Sequence, residues 1–263
     1  MADIAGMLTD LRAESDDLDA VISSAEADAL HRATPAAGWS AADTLGHIWF
    51  FDREARRALE EPEDFVARRD ELFADPEGYL SAHVETIRGL GDALVPSWQD
   101  ERRRIIDALQ TVDPTTRVPW YGPSMSPMSF GTARLMETWA HGQDIADALE
   151  VRRTPTDRLR HIAHLGVSTR GFSYVVRGME ASDVPVYVAL TAPSGAEWTW
   201  GDPSAADSVR GTAVDFCQRV TQRRVLEDLN LEVTGEAATE WMSIAQAFAG
   251  GPTLTDETRR GLS

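Results

Sequence analysis

Lysine is absent from the chain, because all 25 of its basic residues are arginine. Schiff-base catalysis, attachment of pyridoxal phosphate and the phosphate-binding P-loop each need a lysine amine. The dinucleotide motif GxGxxG and the hydrolase motif GxSxG are missing as well. The sequence therefore excludes lysine-based covalent chemistry and carries none of the familiar motifs of nucleotide-binding proteins or serine hydrolases.

Cysteine is almost absent too, since Cys217 is the only one. A single cysteine cannot form a disulfide within the chain or build a CxxC metal or redox site. Cys217 lies in the predicted helical segment DFCQRVTQR, where a thiol usually serves as a small buried hydrophobic side chain. We therefore expect it to be structural rather than nucleophilic.

Acidic residues outnumber basic ones by 43 to 25, so the formal net charge is −18. Such a chain offers no positive field to attract phosphate, which argues against nucleic acid and anionic membranes as partners. No apolar run is long enough to span a bilayer, and the acidic N-terminus lacks the basic and then apolar plan of a signal peptide. We expect a cytoplasmic protein. Its 263 residues are enough for one large domain or two modest ones.

The most informative stretch that is present covers residues 126–149, SPMSFGTARLMETWAHGQDIADAL, whose serine-proline start is typical of a helix. Glu137 and His141 are four residues apart, so a helix places both side chains on one face. Arg134 and Asp144 belong to the same polar stripe. Such a pair can share a divalent metal or form a simple surface contact, and a metal site needs a third ligand from another helix.

That third ligand is expected on the helix AADTLGHIWFFDREARRALEE, for which Ser40 is the predicted N-cap and Asp43 completes a capping box. His47 lies within this helix among apolar residues. A histidine in such a place is usually a hydrogen-bonded core residue, but here it is the best candidate to join the metal site. Glu54 shares its face and is interpreted either as a partner of the site or as a solvated side chain.

Together His47, Glu137 and His141 supply two imidazoles and one carboxylate. Three protein ligands with an open position are typical of a catalytic metal site. The set suits zinc, and also iron, nickel or manganese, and zinc is the default because no redox partner is visible. An open zinc position can activate a water or hold a thiolate. Asp144 is predicted to orient His141, or else to be a plain structural hydrogen-bond acceptor.

The rest of the pattern predicts an α+β fold with a helical bundle over residues 1–155 and a smaller α+β domain over 156–263. Between the predicted helices of the bundle, Pro96 marks a kink or break, and the loop PWYGP carries Trp120 and Tyr121. These two aromatic side chains either wall a pocket or plug the core. After a helix over 156–179, strands are predicted at VPVYVAL, AEWTW, DSVRGT and NLEVTG.

These residues resemble the DinB-like four-helix metalloprotein superfamily. The segments GHIWFFD, METWAHGQDIADAL and DFCQRVTQRR are most similar to the mycothiol-dependent maleylpyruvate isomerase group, and the similarity spans nearly the whole chain. The resemblance implies an N-terminal DinB-like four-helix bundle followed by a small C-terminal α+β domain of sterol-carrier-like shape. It also implies His47, Glu137 and His141 as metal ligands.

The resemblance further implies that metal-bound mycothiol attacks a small electrophilic substrate, in an isomerase or an S-transferase, and that arginines hold carboxylates. Some relatives in the superfamily dimerise, which makes a homodimer an expectation here. The aromatic loop and the Phe50-Phe51 pair indicate a more apolar pocket than a dicarboxylate such as maleylpyruvate would want. The residues expected to act are Asp144 and Arg134 in catalysis, His83, Arg88, Arg210 and Arg224 in cofactor binding, and Phe51, Trp120 and Tyr121 in the substrate pocket.

Three hypotheses about function remain open at this point. The first is a metal-dependent, thiol-using isomerase or S-transferase. The second keeps the metal as a Lewis acid but drops the thiol, in an isomerase, lyase or cyclase of secondary metabolism. The third is a small-molecule or lipid-binding protein whose metal only braces the bundle. Metal content and thiol dependence separate the three.

Overall fold

The computed structural model describes residues 4–26 and 28–250, so residues 251–263 of the predicted second domain lie outside it. Two compact units make up the chain, one ending at Val151 and one beginning at Arg152. The sequence prediction put this boundary between residues 155 and 156. Helices dominate the first unit and a small sheet occurs in the second, which confirms the α+β fold class.

The N-terminal unit is built on four long helices. The helices of this unit are α1 (Ile4–Ser23), α2 (Ala41–Glu60), α3 (Pro62–Ala74), α4 (Pro76–Arg88), α5 (Leu94–Thr111) and α6 (Pro127–Ala148). α1 packs against α5 and α6, and α2 packs against the same two helices, while α3 and α4 lie beside α2. The bundle core contains the fully buried side chains of Leu45, Ile48, Trp98 and Ile145.

The two helices that carry the candidate metal ligands begin where the sequence predicts. Ser40 caps α2 and exchanges hydrogen bonds with Asp43, which completes the capping box. Ser126 caps α6 by accepting from the backbone N–H of Ser129. The kink or break predicted at Pro96 lies earlier in the chain, between Arg88 and Leu94, and Pro96 itself lies in the first turn of α5, where a missing N–H costs nothing.

The described part of the C-terminal unit contains four α-helices and a four-stranded sheet. Its elements are α7 (Leu159–Ser168), α8 (Arg170–Val175), β1 (Val186–Thr191), β2 (Glu197–Trp200), β3 (Asp207–Thr212), α9 (Ala213–Val220), β4 (Glu232–Thr234) and α10 (Glu236–Ile244). The strand order in the sheet is β2-β1-β3-β4. β1 pairs in parallel with β3, while β2 and β4 are antiparallel to their neighbours. α7 packs against α9, and α10 packs against α8, β3 and β4.

The single helix predicted over residues 156–179 is two helices, because the helical backbone is interrupted at Thr169 between α7 and α8. The Thr169 hydroxyl donates to the carbonyl oxygens of Leu165 and Gln246, at 2.9 and 3.3 Å. Threonine hydroxyls that bond the preceding turn bend or interrupt helices. In the described part of the chain, no helix is long and apolar enough to cross a membrane.

Candidate functional site

The bundle brings together the three side chains that the sequence analysis proposed as metal ligands. His47 comes from α2, and Glu137 and His141 come from α6. One donor atom from each lies within 4.8 Å of the others, and all three side chains are half-buried. Two imidazoles and one carboxylate at this spacing form a donor set that zinc and several other divalent metals accept.

His141 is held from both sides of its ring. Its Nε2 lies 3.3 Å from Oε2 of Glu137, one turn earlier, and its Nδ1 lies 3.4 Å from Oδ2 of Asp144. Its ring centroid lies 4.7 Å from that of His47, whose helix crosses α6 here. Asp144 is fully buried. Metal-ligating histidines usually direct their second ring nitrogen to a carboxylate, and this arrangement leaves Nε2 for a metal.

The electrostatics of the cluster keep two of its members deprotonated near neutral pH. Burial, and after it the charge of His141, lower the pKa of His47 well below its usual range. Burial would raise the pKa of Glu137, but the hydrogen bond and charge of His141, with Arg134 and His47, outweigh that and bring it to about 2. A neutral imidazole and an ionised carboxylate are the forms that bind metal.

Arg134, predicted to act in catalysis, lies in a buried ion pair with Asp52 of α2. Its Nε and Nη2 donate to Oδ1 of Asp52 at 3.0 and 2.8 Å, and both side chains are about 5% exposed. This pair connects α6 to α2 one turn away from Glu137. The position of Arg134 indicates that it holds the two ligand-bearing helices in register.

Aromatic side chains lie beside the three candidate metal ligands. The ring of Phe51 lies 4.6 Å from that of His47 and contacts Tyr121 at 5.8 Å and Trp120 at 6.3 Å. Trp120 also stacks on the buried Phe65 at 5.4 Å. Phe51, Trp120 and Tyr121 are half-buried, so each keeps some accessible surface beside the cluster. Trp120 also packs on the buried Phe130 at 5.1 Å, so the two alternatives, a pocket wall and a plug of the core, stay predictions.

His83, predicted to bind a cofactor, reaches this aromatic group from α4. Its ring lies 3.7 Å from Phe50, 5.7 Å from Phe51 and 6.3 Å from His47. Burial, and after it the charge of Arg53, lower the pKa of His83 to about 4. The side chain is therefore a neutral imidazole near the cluster, and its nitrogens are not among the three donors that lie within 4.8 Å of one another.

The remaining predicted arginines are distributed over both units. Arg88 is exposed at the last position of α4. In the C-terminal unit, Arg210 is exposed on β3 with its guanidinium over the ring of Tyr187, whereas Arg224 is buried and donates to the carbonyl of Arg223 at 2.8 Å. For all three, a contact with a cofactor stays a prediction.

Two other assignments can be compared with the structure. Glu54 is not solvated, since only 1% of it is exposed, and its Oε1 is ion-paired with Arg57 and lies 3.5 Å from Arg53. Cys217 is fully buried, and burial raises the pKa of its thiol, as expected for a structural cysteine.

Sequence reasoning missed two residues of the site. Trp39 lies with its ring centroid 5.1 Å from that of His47 and 6.4 Å from that of His141. The signal for it was its place directly before the Ser40 N-cap, which fixes it at the start of the helix that carries His47. Asp52, the partner of Arg134, gave a weaker signal, because it is only the acidic residue that directly follows the run HIWFF in α2.

We expect Asp144→Asn to weaken metal binding by about 10- to 100-fold, which is typical of removing a charged partner of a metal-binding histidine. Asparagine keeps the size of the side chain but loses the charge that orients the Nδ1 side of His141. Competition with a chromophoric chelator would measure the affinity, and Asp147→Asn, one turn further along α6, serves as the matched control. Unchanged affinity and turnover in Asp144→Asn would reduce Asp144 to a structural acceptor.

Comparison with known proteins supports this description of the bundle. The family model described as the mycothiol maleylpyruvate isomerase N-terminal domain matches residues 11–146. Two uncharacterised proteins from two strains of Mycobacterium tuberculosis are each 44% identical over 253 residues, which covers 96% of this chain and 98% of theirs.

Solved structures show the same fold at much lower identity. A crystal structure of the mycothiol-dependent maleylpyruvate isomerase superposes with a TM-score of 0.56 at 14% identity, covering 82% of this chain and 88% of that one. A histidine-to-alanine mutant of that isomerase superposes with the same TM-score at 13% identity. Because the family model matches residues 11–146, more than half of the chain, the chain belongs to the mycothiol maleylpyruvate isomerase family.

Proposed function

We propose that this protein is a divalent-metal-dependent enzyme that uses a low-molecular-weight thiol, mycothiol, to isomerise or conjugate a small electrophilic metabolite. The observation that carries the proposal is the convergence of His47, Glu137 and His141 beside half-buried aromatic side chains. The family supports the thiol, because the family model and the similar solved structure are both named for a mycothiol-using isomerase. Zinc is the metal we expect, since the donor set suits it and needs no redox partner.

Each residue of the cluster has a definite task in this proposal. His47, Glu137 and His141 would hold the metal, and Asp144 would fix the orientation of the His141 ring through Nδ1. A divalent ion bound there would act as a Lewis acid that lowers the pKa of a thiol or water next to it. Arg134 and Asp52 would keep α2 and α6 at the spacing that the three ligands need.

The aromatic side chains would receive the substrate. Phe51, Trp120 and Tyr121 present ring faces and edges near His47, which favours a planar, largely apolar molecule. In an isomerase, the thiol adds to a conjugated alkene and leaves again after rotation about the carbon–carbon bond, so it is not consumed. In an S-transferase, the thioether is the product and the thiol proton ends on carbon.

The first experiment is to measure the metal content of the purified protein and its affinity for mycothiol by calorimetry, with and without a chelator. About one metal per chain together with thiol binding that the chelator abolishes would support the proposal. Metal without thiol binding would favour Lewis-acid chemistry that needs no thiol. Absence of metal would make the ligand cluster a feature of the fold and favour a binding protein.

A further inference from the structure

The side chain of His83 is a buried imidazole that makes no hydrogen bond to any residue that the structure describes. It is nine-tenths buried on α4. The rings of His47, Phe50 and Phe51 lie around it. Its ring nitrogens are not among the fully enclosed polar atoms that lack a partner, so a hydrogen-bonding group of a bound molecule can reach and satisfy them.

The location of His83 indicates what that bound molecule is. Its ring packs on Phe50 and lies 5.7 Å from Phe51 and 6.3 Å from His47. It therefore lies among the aromatic side chains beside the three candidate metal ligands. A molecule lying on Phe51 beside His47 would be within reach of the His83 ring. A neutral imidazole offers such a molecule one N–H donor and one acceptor nitrogen.

The charges around His83 argue against a carboxylate as its hydrogen-bonding partner. Arg53, the cation nearest to it, places its guanidinium over the rings of Trp49 and Phe50, at 4.9 and 5.0 Å, and lies 3.5 Å from Glu54. Arg134 is paired with Asp52. Both guanidinium groups already lie beside a carboxylate of the chain, so the contact that we assign to His83 itself is a neutral one, and it suits an uncharged oxygen such as a carbonyl.

We propose that His83 hydrogen-bonds the carbonyl oxygen of the substrate and thereby selects uncharged, planar, conjugated carbonyl compounds. This assignment rests on the proposed function, and it narrows the substrate from any small electrophile to an apolar enone or related molecule. A hydrogen bond to the carbonyl also draws electron density away from the conjugated alkene, which favours addition of a thiol to its far carbon.

The test compares two probes that differ in the carbonyl group, trans-4-phenyl-3-buten-2-one and the hydrocarbon trans-1-phenyl-1-butene. Binding to the zinc-loaded protein is followed by quenching of tryptophan fluorescence, since Trp39 and Trp120 lie near the cluster. We expect the protein to prefer the ketone by about tenfold, the usual contribution of one hydrogen bond to a neutral group.

The variant His83→Phe keeps a ring against Phe50 but removes both nitrogens, so it should abolish the preference for the ketone and leave the hydrocarbon affinity unchanged. His83→Gln, which retains a donor, should restore part of the preference. His31→Phe, at an exposed histidine, is the matched control and should behave as the unmodified protein does. Metal content and melting temperature are measured for each variant to show that the site is still formed.

A ketone preference that survives in His83→Phe would overturn the assignment, and so would binding of both probes equally, or of neither, by the unmodified protein. These failures are distinct from failure of the proposed function. If the ketone preference depends on His83 while mycothiol does not bind, the thiol step alone is wrong. If mycothiol binds in a chelator-sensitive way and the ketone preference is missing, the role of His83 alone is wrong.

Discussion

Replacing His141 with alanine should leave the purified protein nearly free of metal and weaken its metal affinity by more than about 100-fold. Loss of a ligand exceeds the 10- to 100-fold effect of losing an outer partner such as Asp144. His141 is the member of the cluster that contacts both Glu137 and Asp144, at 3.3 and 3.4 Å. Elemental analysis of the purified protein and chelator competition would measure the two quantities.

The matched control for this experiment is His164→Ala in the C-terminal unit. His164 is exposed, and its Nδ1 accepts a hydrogen bond from Trp200 at 3.3 Å. It should therefore change neither metal content nor metal affinity. If His141→Ala retained the metal, the cluster of His47, Glu137 and His141 would not be the site, whatever its geometry.

Local sequence signals were enough to predict where the ligand-bearing helices begin. The Ser40–Asp43 capping box and the start of α6 at Pro127 depend on residues within one turn of each other, so they could be recognised without tertiary information. The same local reasoning placed the break too late, at Pro96. Whether a proline breaks a helix or starts one depends on where the preceding residues lie, and here α4 had already ended at Arg88.

The three candidate metal ligands were predictable for a similar reason. The ion pair of Arg134 and Asp52 that connects their helices was not. The spacing of Glu137 and His141 is a property of one helix, and His47 stood out as a histidine in an apolar run. The pairing of Arg134 with Asp52 joins residues 82 positions apart, and nothing in either segment indicates the other. Arg134 therefore seemed to be a free residue on the polar stripe of α6, available to a substrate.

The buried ion pair should have the largest effect on stability. Removing one partner, as in Asp52→Ala, leaves the Arg134 guanidinium buried without its counter-ion, and we expect the free energy of unfolding to fall by about 3–5 kcal/mol. Both side chains are about 5% exposed, so solvent screens the pair little. Urea unfolding followed by circular dichroism would measure the loss. Asp100→Ala, which removes exposed ion pairs with Arg103 and Arg104 on α5, should cost at most about 0.5 kcal/mol.

The double variant Asp52→Leu with Arg134→Met separates the structural role of the pair from a catalytic one. Burial raises the pKa of Asp52 despite the opposing effect of Arg134, so keeping this carboxylate charged is itself costly. Replacing both members with apolar side chains of similar size is often neutral or stabilising. We therefore expect the double variant to regain most of the stability that the single variant loses, and to bind metal. If it folds and binds metal but is inactive, Arg134 contributes to the reaction directly; retained activity would show that its task is to hold α6 against α2.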